Sequence, residues 1–299
     1  MGAAAMISVL TATISSKFVE QRLRKGQGLE NVNLKKHIVI CGWNFNVEDI
    51  VKTLEAELDY PSIVLVNACD PAPIGELISK HKKSEISFVA GDFSKDDVLD
   101  KANIRQAECA IIVADTNELT ANKADEKTVI TALTIKNMNE RIRLYAHVVN
   151  RENSSHLKRA KADDIVISDK YSGFLLAMHA TNPGVPRVVD ELLSARLGQA
   201  IMRIQLPEAV IGKTFWDAAQ YLKQNENAIL IGIGRETEAV ALNEILSEDN
   251  SYIDQFIRQK LAQSSKNFGE EERLTITVNP DKNLVLEANT IGIVITDKF

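Results

Sequence analysis

Between residues 33 and 168, short apolar runs alternate with longer stretches in which apolar residues recur every three or four positions. The short runs are rich in valine and isoleucine, a composition that favours buried parallel strands. The longer stretches carry charged residues on their other side, which is the pattern of amphipathic helices. We therefore predict six strands, at Ile38–Cys41, Ile63–Val66, Ile86–Ala90, Cys109–Ala114, Arg143–Val149 and Ile165–Ser168.

Helices are predicted in the intervals between these strands, at about Val47–Leu58, Glu76–His81, Lys95–Ala102, Glu118–Met138 and Ser154–Ala160. The proline-containing segment from Asn67 to Pro73 is predicted to be a turn. Strands that alternate with helices in this way are joined by right-handed crossovers and form a parallel sheet. The pattern thus predicts an α/β fold with a Rossmann-like, doubly wound parallel sheet.

The first strand, its glycine turn and the following helix form a unit that presents a helix N-terminus to a phosphate. A complete dinucleotide fingerprint has the form G-x-G-x-x-G. Its six positions are occupied here by Gly42, Trp43, Asn44, Phe45, Asn46 and Val47. Because Asn44 replaces the second glycine, close approach of a pyrophosphate requires a strained or left-handed backbone at Asn44. We expect Asn46 to cap the helix, and an aspartate at position 42 to place its carboxylate at the phosphate position.

Ligands of doubly wound sheets bind beyond the carboxyl ends of the strands. Four loops are predicted to border one cleft there, namely residues 42–46, 67–70, 91–92 and 114–117. The candidate binding residues are Gly42, Trp43, Asn44, Phe45, Asn46, Asn67, Asp70, Gly91, Asp92, Asp115 and Thr116. No catalytic residue and no metal ligand is assigned. The occupant stays open between a nucleotide, another molecule and none.

The polar candidates each have an alternative role in capping a turn or a helix. Asn67 lies about 20 residues after the glycine turn, where a ribose-binding carboxylate is expected, but it carries no charge. Asp70 reaches a ribose only if its turn folds back. Asp92 is a candidate for an adenine or ribose edge, whereas Asp115, Thr116 and Asn117 are equally candidates for the N-cap of the long helix.

Three further segments lie outside the predicted Rossmann-like domain of residues 32–169. Residues 1–31 join an apolar run to a basic cluster, which is typical of the cytoplasmic end of a membrane helix or of an amphipathic or disordered tail. The apolar run is shorter than the ~20 residues that span a bilayer. Residues 170–198 predict two helices with apolar faces, covered by a second copy of the chain or by their own domain. Residues 199–299 predict a smaller α+β domain.

Composition narrows the class of partner. The net charge of −6 at pH 7 argues against a nucleic-acid partner. The three cysteines, Cys41, Cys69 and Cys109, form no C-x-x-C pair. Neither a zinc knuckle nor a disulfide framework is therefore indicated, and a reducing cytoplasm fits.

The combined order of these motifs resembles the RCK (regulator of potassium conductance) family, and within it the domains of prokaryotic potassium channels. The resemblance spans about residues 32–299 and rests on HIVICGWNFN, AGDFSKDDVLDKANIRQAECAIIVAD, DKYSGFLLAMHATNPGVPRVVDEL, GKTFWDAAQYL, ILIGIGR and NPDKNL. It implies a ligand-sensing gating-ring domain that couples ligand binding to the opening of a membrane pore. It also implies dimers that assemble into an octameric ring on the cytoplasmic side of the cell membrane. Residues 1–31 would then be the end of the inner pore helix with its linker, and residues 170–198 the dimer interface.

For the ligand, the resemblance implies NAD or an adenine nucleotide in the cleft, or calcium. The positions that match the family's calcium-binding carboxylates are Val98, His147 and Val149. Two apolar side chains and an imidazole disfavour a cation that takes about six to eight oxygen ligands. A nucleotide is therefore the better expectation, and calcium the weaker one.

Two other functions share this fold. A regulatory subunit of a potassium uptake transporter is one, although the apolar run near the N-terminus favours a channel. An NAD(P)-dependent oxidoreductase is the other, and it needs an acid or base beside its substrate. His147 and His156 are candidates for that role, but no Tyr-x-x-x-Lys pair accompanies them, so we do not expect an enzyme.

Overall fold

In the computed structural model of the chain, residues 16, 24, 26–117, 119–194, 199–237 and 273–297 are described. They belong to two compact units, Met1–Gly173 and Phe174–Phe299. Most of the predicted pore-helix end at residues 1–31 lies outside the described residues. In the described part of the chain, no helix is both long and apolar enough to cross a membrane.

The first unit is a parallel sheet of six strands with helices on both faces, which confirms the predicted fold class. Its strands are β1 (Ile38–Cys41), β2 (Ser62–Asn67), β3 (Glu85–Ala90), β4 (Cys109–Ile112), β5 (Arg143–Val148) and β6 (Asp164–Ile167). Its helices are α1 (Asn46–Glu57), α2 (Pro71–Lys80), α3 (Asp96–Lys101), α4 (Ala121–Met138) and α5 (Ser154–Arg159). The strand order is β3-β2-β1-β4-β5-β6, so the chain adds strands on one side of β1 as far as β3 and then on the other side from β4 onward. Doubly wound sheets have their ligand crevice at this switch point between β1 and β4.

Strand β1 shows how the sequence builds a hydrophobic layer on each face of the sheet. Ile40 packs with Val47 and Val51 of α1 on one face. Val39 and Cys41 pack on the other face with residues of α3 and α4. All five side chains are fully buried, and each aliphatic one contributes about 1.5–3 kcal/mol of stability. Burial also raises the pKa of the Cys41 thiol to about 12, so this cysteine packs as a small apolar residue.

Helix α2 begins earlier than predicted. It starts at Pro71, inside the segment that we predicted to be a turn. Asp70 caps the helix, because its Oδ1 accepts a hydrogen bond from the backbone N–H of Ala72 at 3.0 Å. Proline suits the first turn of a helix, where its missing N–H leaves no intrahelical bond unmade. The prediction of a turn over residues 71–73 is therefore wrong.

Two helices follow β6, at the positions of the predicted helix pair: α6 (Ser172–Thr181) and α7 (Val185–Ser194). Their large apolar side chains are mostly exposed in the single chain, with exposed fractions of 59% for Phe174, 71% for Leu176, 56% for Val188 and 76% for Leu193. Apolar surface of this extent is typical of an interface.

The second unit contains a small antiparallel sheet, as predicted for an α+β domain. Its strands are β7 (Gln199–Gln205), β8 (Ile229–Thr237), β9 (Arg273–Val278) and β10 (Thr290–Asp297), in the order β7-β10-β8-β9. Helix α8 (Phe215–Glu226) packs on this sheet through Phe215, Ala218 and Leu222.

Candidate ligand-binding cleft

Gly42 ends β1 in a conformation that only glycine adopts easily. Its φ is +94°, and a Cβ added there would lie 2.2 Å from the backbone oxygen of Val113. The glycine therefore allows the ends of β1 and β4 to approach each other. Our expectation that an aspartate at position 42 would place its carboxylate at the phosphate position is wrong, because the added side chain would point into the neighbouring backbone.

Asn44 takes over the capping role that we expected of Asn46. The Oδ1 of Asn44 accepts a hydrogen bond from the backbone N–H of Asn46 at 2.9 Å, and its backbone oxygen accepts one from Val47 N at 3.2 Å. The first two amide groups of α1 are thus bound by the chain itself. The Nδ2 of Asn44 donates to the backbone oxygen of Ala114 at 3.0 Å. Asn44 is 4% exposed and is absent from the described residues with positive φ, so the strained backbone considered for it does not occur.

A cavity of about 370 Å³ opens beside this turn. It brings together three predicted residues, Trp43, Asn44 and Phe45, with Asn117 from the loop after β4. Phe45 is 81% exposed, so its ring is available to a ligand at the rim. The rest of the wall comes from Glu48 of α1 and from α2, through Pro73, Glu76, Leu77 and Lys80. The α2 residues were not among the predicted site residues, although the Asp70–Pro71 pair is a sequence signal for a helix that starts there.

The charged groups at this cavity balance to one negative charge. Lys80 Nζ lies 3.0 Å from Glu76 Oε1 and 3.5 Å from Glu48 Oε1. The hydrogen bond that Lys80 donates to Glu76 and the charge of Glu48 raise the pKa of the Lys80 ammonium. All three side chains are at least half exposed, so the pairs contribute little to stability. The turn caps itself and two carboxylates lie beside it, while the uncharged groups that line the cavity next to the turn include the Trp43 and Phe45 rings and the Asn117 amide.

The candidates after β2 are engaged in turns. Asn67 is fully buried, and its Oδ1 accepts a hydrogen bond from Cys69 N at 3.1 Å. Its Nδ2 has no hydrogen-bond partner among the described residues. The backbone oxygen of Asn67 accepts a bond from Gly91 N at 2.9 Å, which joins the ends of β2 and β3. Asp70 caps α2, as described above.

The candidates after β3 and β4 meet at a lysine that the sequence did not single out. The Nζ of Lys127 on α4 lies 3.5 Å from Asp92 Oδ1, 4.0 Å from Asp115 Oδ2 and 4.1 Å from the centre of the Phe93 ring. Asp92 Oδ1 also accepts bonds from the N–H and hydroxyl of Ser94, at 3.1 and 2.9 Å. Burial alone would raise the pKa of Asp92, but the Ser94 bonds and the Lys127 charge lower it.

Asp115 and Thr116 do not cap the long helix. Helix α4 begins at Ala121 with Thr120 at its N-cap position, several residues further along the chain. The prediction of an N-cap at residues 115–117 is therefore wrong. Asp115 is 5% exposed and instead faces Lys127.

The positions that match the family's calcium ligands have other roles. Val98 is buried, and its side chain lies beside Gly91, where an added Cβ would meet it at 2.8 Å. The Nδ1 of His147 accepts a hydrogen bond from Ala114 N at 3.3 Å, and its Nε2 lies 2.8 Å from Ser168 Oγ. Burial lowers the pKa of His147. Within the described ranges, no group of three or more His, Cys, Asp or Glu side chains is placed to hold a metal ion.

Known proteins match this chain both in sequence and in fold. Residues 33–146 match the family model of the calcium-activated potassium channel slowpoke-like RCK domain. The chain is 27% identical over 221 residues to the calcium-gated potassium channel TvoK of Thermoplasma volcanium, covering 73% of this chain and 61% of TvoK. It is 23% identical over 257 residues to the putative potassium channel protein YugO of Bacillus subtilis, covering 86% of this chain and 75% of YugO.

A solved structure has the same fold. The human SLO3 gating ring superposes on 87% of this chain with a TM-score of 0.57 and 15% identity, covering 44% of that chain. This chain therefore spans only part of TvoK and of the SLO3 chain. The matched segment contains strands β1 to β4 and most of β5, together with the four loops of the cleft. The resemblance of this chain to the RCK family is confirmed by the match of residues 33–146 to the slowpoke-like RCK model.

Proposed function

We propose that this chain is a ligand-sensing regulatory domain of a potassium channel, without catalytic activity, on the cytoplasmic side of the cell membrane. The observation that carries the proposal is the match of residues 33–146 to a channel RCK domain, over the segment that forms the cleft. Occupancy of the cleft would shift the domain between two arrangements. Such a shift drives a pore only if the ligand binds one arrangement better than the other.

The segment before β1 provides a mechanical connection from the cleft. Ala90 N at the end of β3 donates to Gly28 O at 2.9 Å, and Val32 N donates to Lys101 O at 2.8 Å. Asn103 Nδ2 donates to Leu34 O at 2.8 Å. The contact at Ala90 adjoins the Gly91–Asp92 loop of the cleft. A displacement of that loop would therefore be passed to the linker that the family resemblance places below the pore helix.

The oligomer is proposed from the helix pair. The exposed apolar side chains of α6 and α7 would be covered by the same helices of a second copy, giving a dimer about a two-fold axis. Dimers of this kind would assemble into an octameric ring. A ring adds together small preferences at individual sites, which suits a cleft with few charged contacts to a ligand.

NAD or an adenine nucleotide is the proposed ligand. The cleft lies at the switch point of the sheet, and Trp43 and Phe45 offer aromatic faces at the cavity rim for a purine ring. The first amide groups of α1 are already bound by Asn44, so phosphate contacts would contribute less than at a full glycine fingerprint. Calcium is not proposed, because Val98 and Val149 supply no side-chain oxygen.

The full chain can be tested directly. We expect native mass spectrometry to show dimers or larger assemblies at micromolar concentration. We expect NAD, ADP or both to raise the melting temperature with increasing concentration, as a ligand of the folded state must. Phe45→Ser should weaken this response, whereas Trp216→Phe, in the second unit, should leave it unchanged. A monomeric chain that responds to neither nucleotide nor to CaCl2 would refute the proposal, and so would turnover of NADH with an alcohol or aldehyde substrate.

A further inference from the structure

A line of hydrogen bonds crosses the carboxyl edge of the sheet from the first turn to the last strand. Asn46 N donates to Asn44 Oδ1 at 2.9 Å, and Asn44 Nδ2 donates to Ala114 O at 3.0 Å. Ala114 N donates to His147 Nδ1 at 3.3 Å, and His147 Nε2 lies 2.8 Å from Ser168 Oγ. The five residues stand at the ends of β1, β4, β5 and β6, which are neighbours in that order.

The geometry fixes the tautomer of His147. A backbone N–H can only donate, so the nitrogen that faces Ala114 N must carry no proton and accept. The single proton of the neutral ring is then on Nε2, where it is donated to Ser168 Oγ. Burial favours the neutral ring. His147 therefore joins a donor just beyond β4 to an acceptor just beyond β6.

The middle of the line is shielded from water. Ala114 is 0% exposed and Asn44 is 4% exposed, and each uses both a donor and an acceptor within the line. Leaving a buried polar group without a partner costs more than a typical hydrogen bond contributes. The turn at Asn44 is therefore constrained to move together with Ala114 and His147.

The far end of the line is close in sequence to the helix pair. Ser168 follows β6 directly, and its backbone N–H is held by Val148 O at 2.9 Å. Helix α6 begins at Ser172. A change at the turn of the cleft thus has a bonded route to the segment that enters the proposed interface helices.

We propose that His147 is a positioning residue for the ligand turn. Through Ala114 it holds Asn44 and the first amide of α1 in place, and through Ser168 it joins that turn to the segment entering α6. The inference rests on the proposed function for the meaning of the turn as a ligand site. The bonds themselves are tested without any ligand.

Two amide variants of His147 each keep one of its two hydrogen bonds and remove the other. In His147→Asn the amide oxygen occupies about the position of Nδ1, so Ala114 N keeps its acceptor while Ser168 is out of reach. In His147→Gln the longer amide reaches Ser168 but leaves Ala114 N without an acceptor. The readout is hydrogen exchange of the Ala114 and Asn46 backbone amides in the full chain. His156→Gln, at an exposed histidine of α5, is the control.

We expect His147→Gln to speed exchange of both amides by roughly three- to tenfold, the range of one net hydrogen bond. In His147→Asn, both exchange rates should stay close to those of the unchanged chain. Equal rates in His147→Gln and the unchanged chain would overturn the proposal, as would a change at Ala114 that does not reach Asn46.

A second measurement keeps the test decisive if His147→Gln does not fold. Nitrogen chemical shifts of the unchanged chain should show the proton of His147 on Nε2. A proton on Nδ1 would refute the line. If the chain is monomeric and no nucleotide raises its melting temperature, but these exchange rates are observed, the proposed function is refuted and this inference still holds.

Discussion

Removal of the Asp125 carboxylate tests how the loop after β5 is held. Asp125 lies on α4 and is fully buried. Its Oδ1 accepts a bond from Val149 N at 2.8 Å, and its Oδ2 accepts bonds from Asn150 N at 2.8 Å and Asn153 Nδ2 at 2.7 Å. One side chain of α4 thus anchors the whole turn between β5 and α5.

The magnitude follows from the three donors that lose their acceptor in Asp125→Ala. A hydrogen bond to a charged group contributes about 1.5–3 kcal/mol net. Residues 149, 150 and 153 are half-buried, so water can reach part of the turn and replace part of this energy. We therefore expect a loss of about 3 kcal/mol. Asp125→Asn should lose less, because one oxygen stays as an acceptor while the amide N–H2 faces another donor.

The assay exploits the two tryptophans of the chain, Trp43 in the first unit and Trp216 in the second. Trp216 is 56% exposed, so Trp216→Phe is a mild change that leaves fluorescence reporting on the first unit alone. With a urea m-value of about 2 kcal/mol/M, the expected loss lowers the midpoint by about 1.5 M. Glu126→Ala, at the exposed neighbour on α4, should shift the midpoint by less than about 0.3 M. Equal shifts in Asp125→Ala and Glu126→Ala would refute the anchoring role.

The same fluorescence assay checks two further expectations, and native mass spectrometry checks a third. Gly42→Ala should destabilise the first unit by about 3 kcal/mol or more, because the residue has φ +94° and an added Cβ would lie 2.2 Å from a backbone oxygen. Gly75→Ala, where α2 has open space, should instead stabilise it by up to about 1 kcal/mol. Equal effects of the two substitutions would contradict this reasoning. Burial lowers the pKa of His37, whose Nε2 donates to Ala102 O at 2.9 Å, so the unfolded chain binds a proton at higher pH than the folded chain. The contribution of the neutral His37 ring to the free energy of unfolding should be complete above about pH 7 and be lost as the pH drops through about 6.5. The dependence of stability on pH in this range should therefore be weaker in His37→Gln. An unchanged dependence would show that other groups cause it. Leu176→Glu or Leu193→Glu should shift the assembly toward monomers in native mass spectrometry, and an unaltered assembly would place the interface elsewhere.

The sequence by itself determined the elements of the first unit and the identity of its fold. Apolar runs of β-branched residues can be buried on both faces only as central parallel strands, and the intervening periodic stretches only as covering helices. Gly42 was also recognisable as the turn glycine of a strand–turn–helix unit, whereas only the structure showed that its missing Cβ makes room for the backbone after β4. The start of α2 was misjudged although its signal is local, since proline in a first turn and proline in a loop look alike without attention to the preceding aspartate.

The tertiary structure decided what the polar side chains of the cleft do. Asn44 bonds to Ala114, 70 residues away, and His147 bonds to the same residue from 33 residues further along the chain. Lys127 meets two carboxylates whose strands are not adjacent in the sheet. A short polar side chain has the same local preferences whether it contacts a ligand, caps a helix or bridges two strands. Only the packing of distant segments selects among these roles, because the partner that satisfies the side chain is brought to it by the sheet.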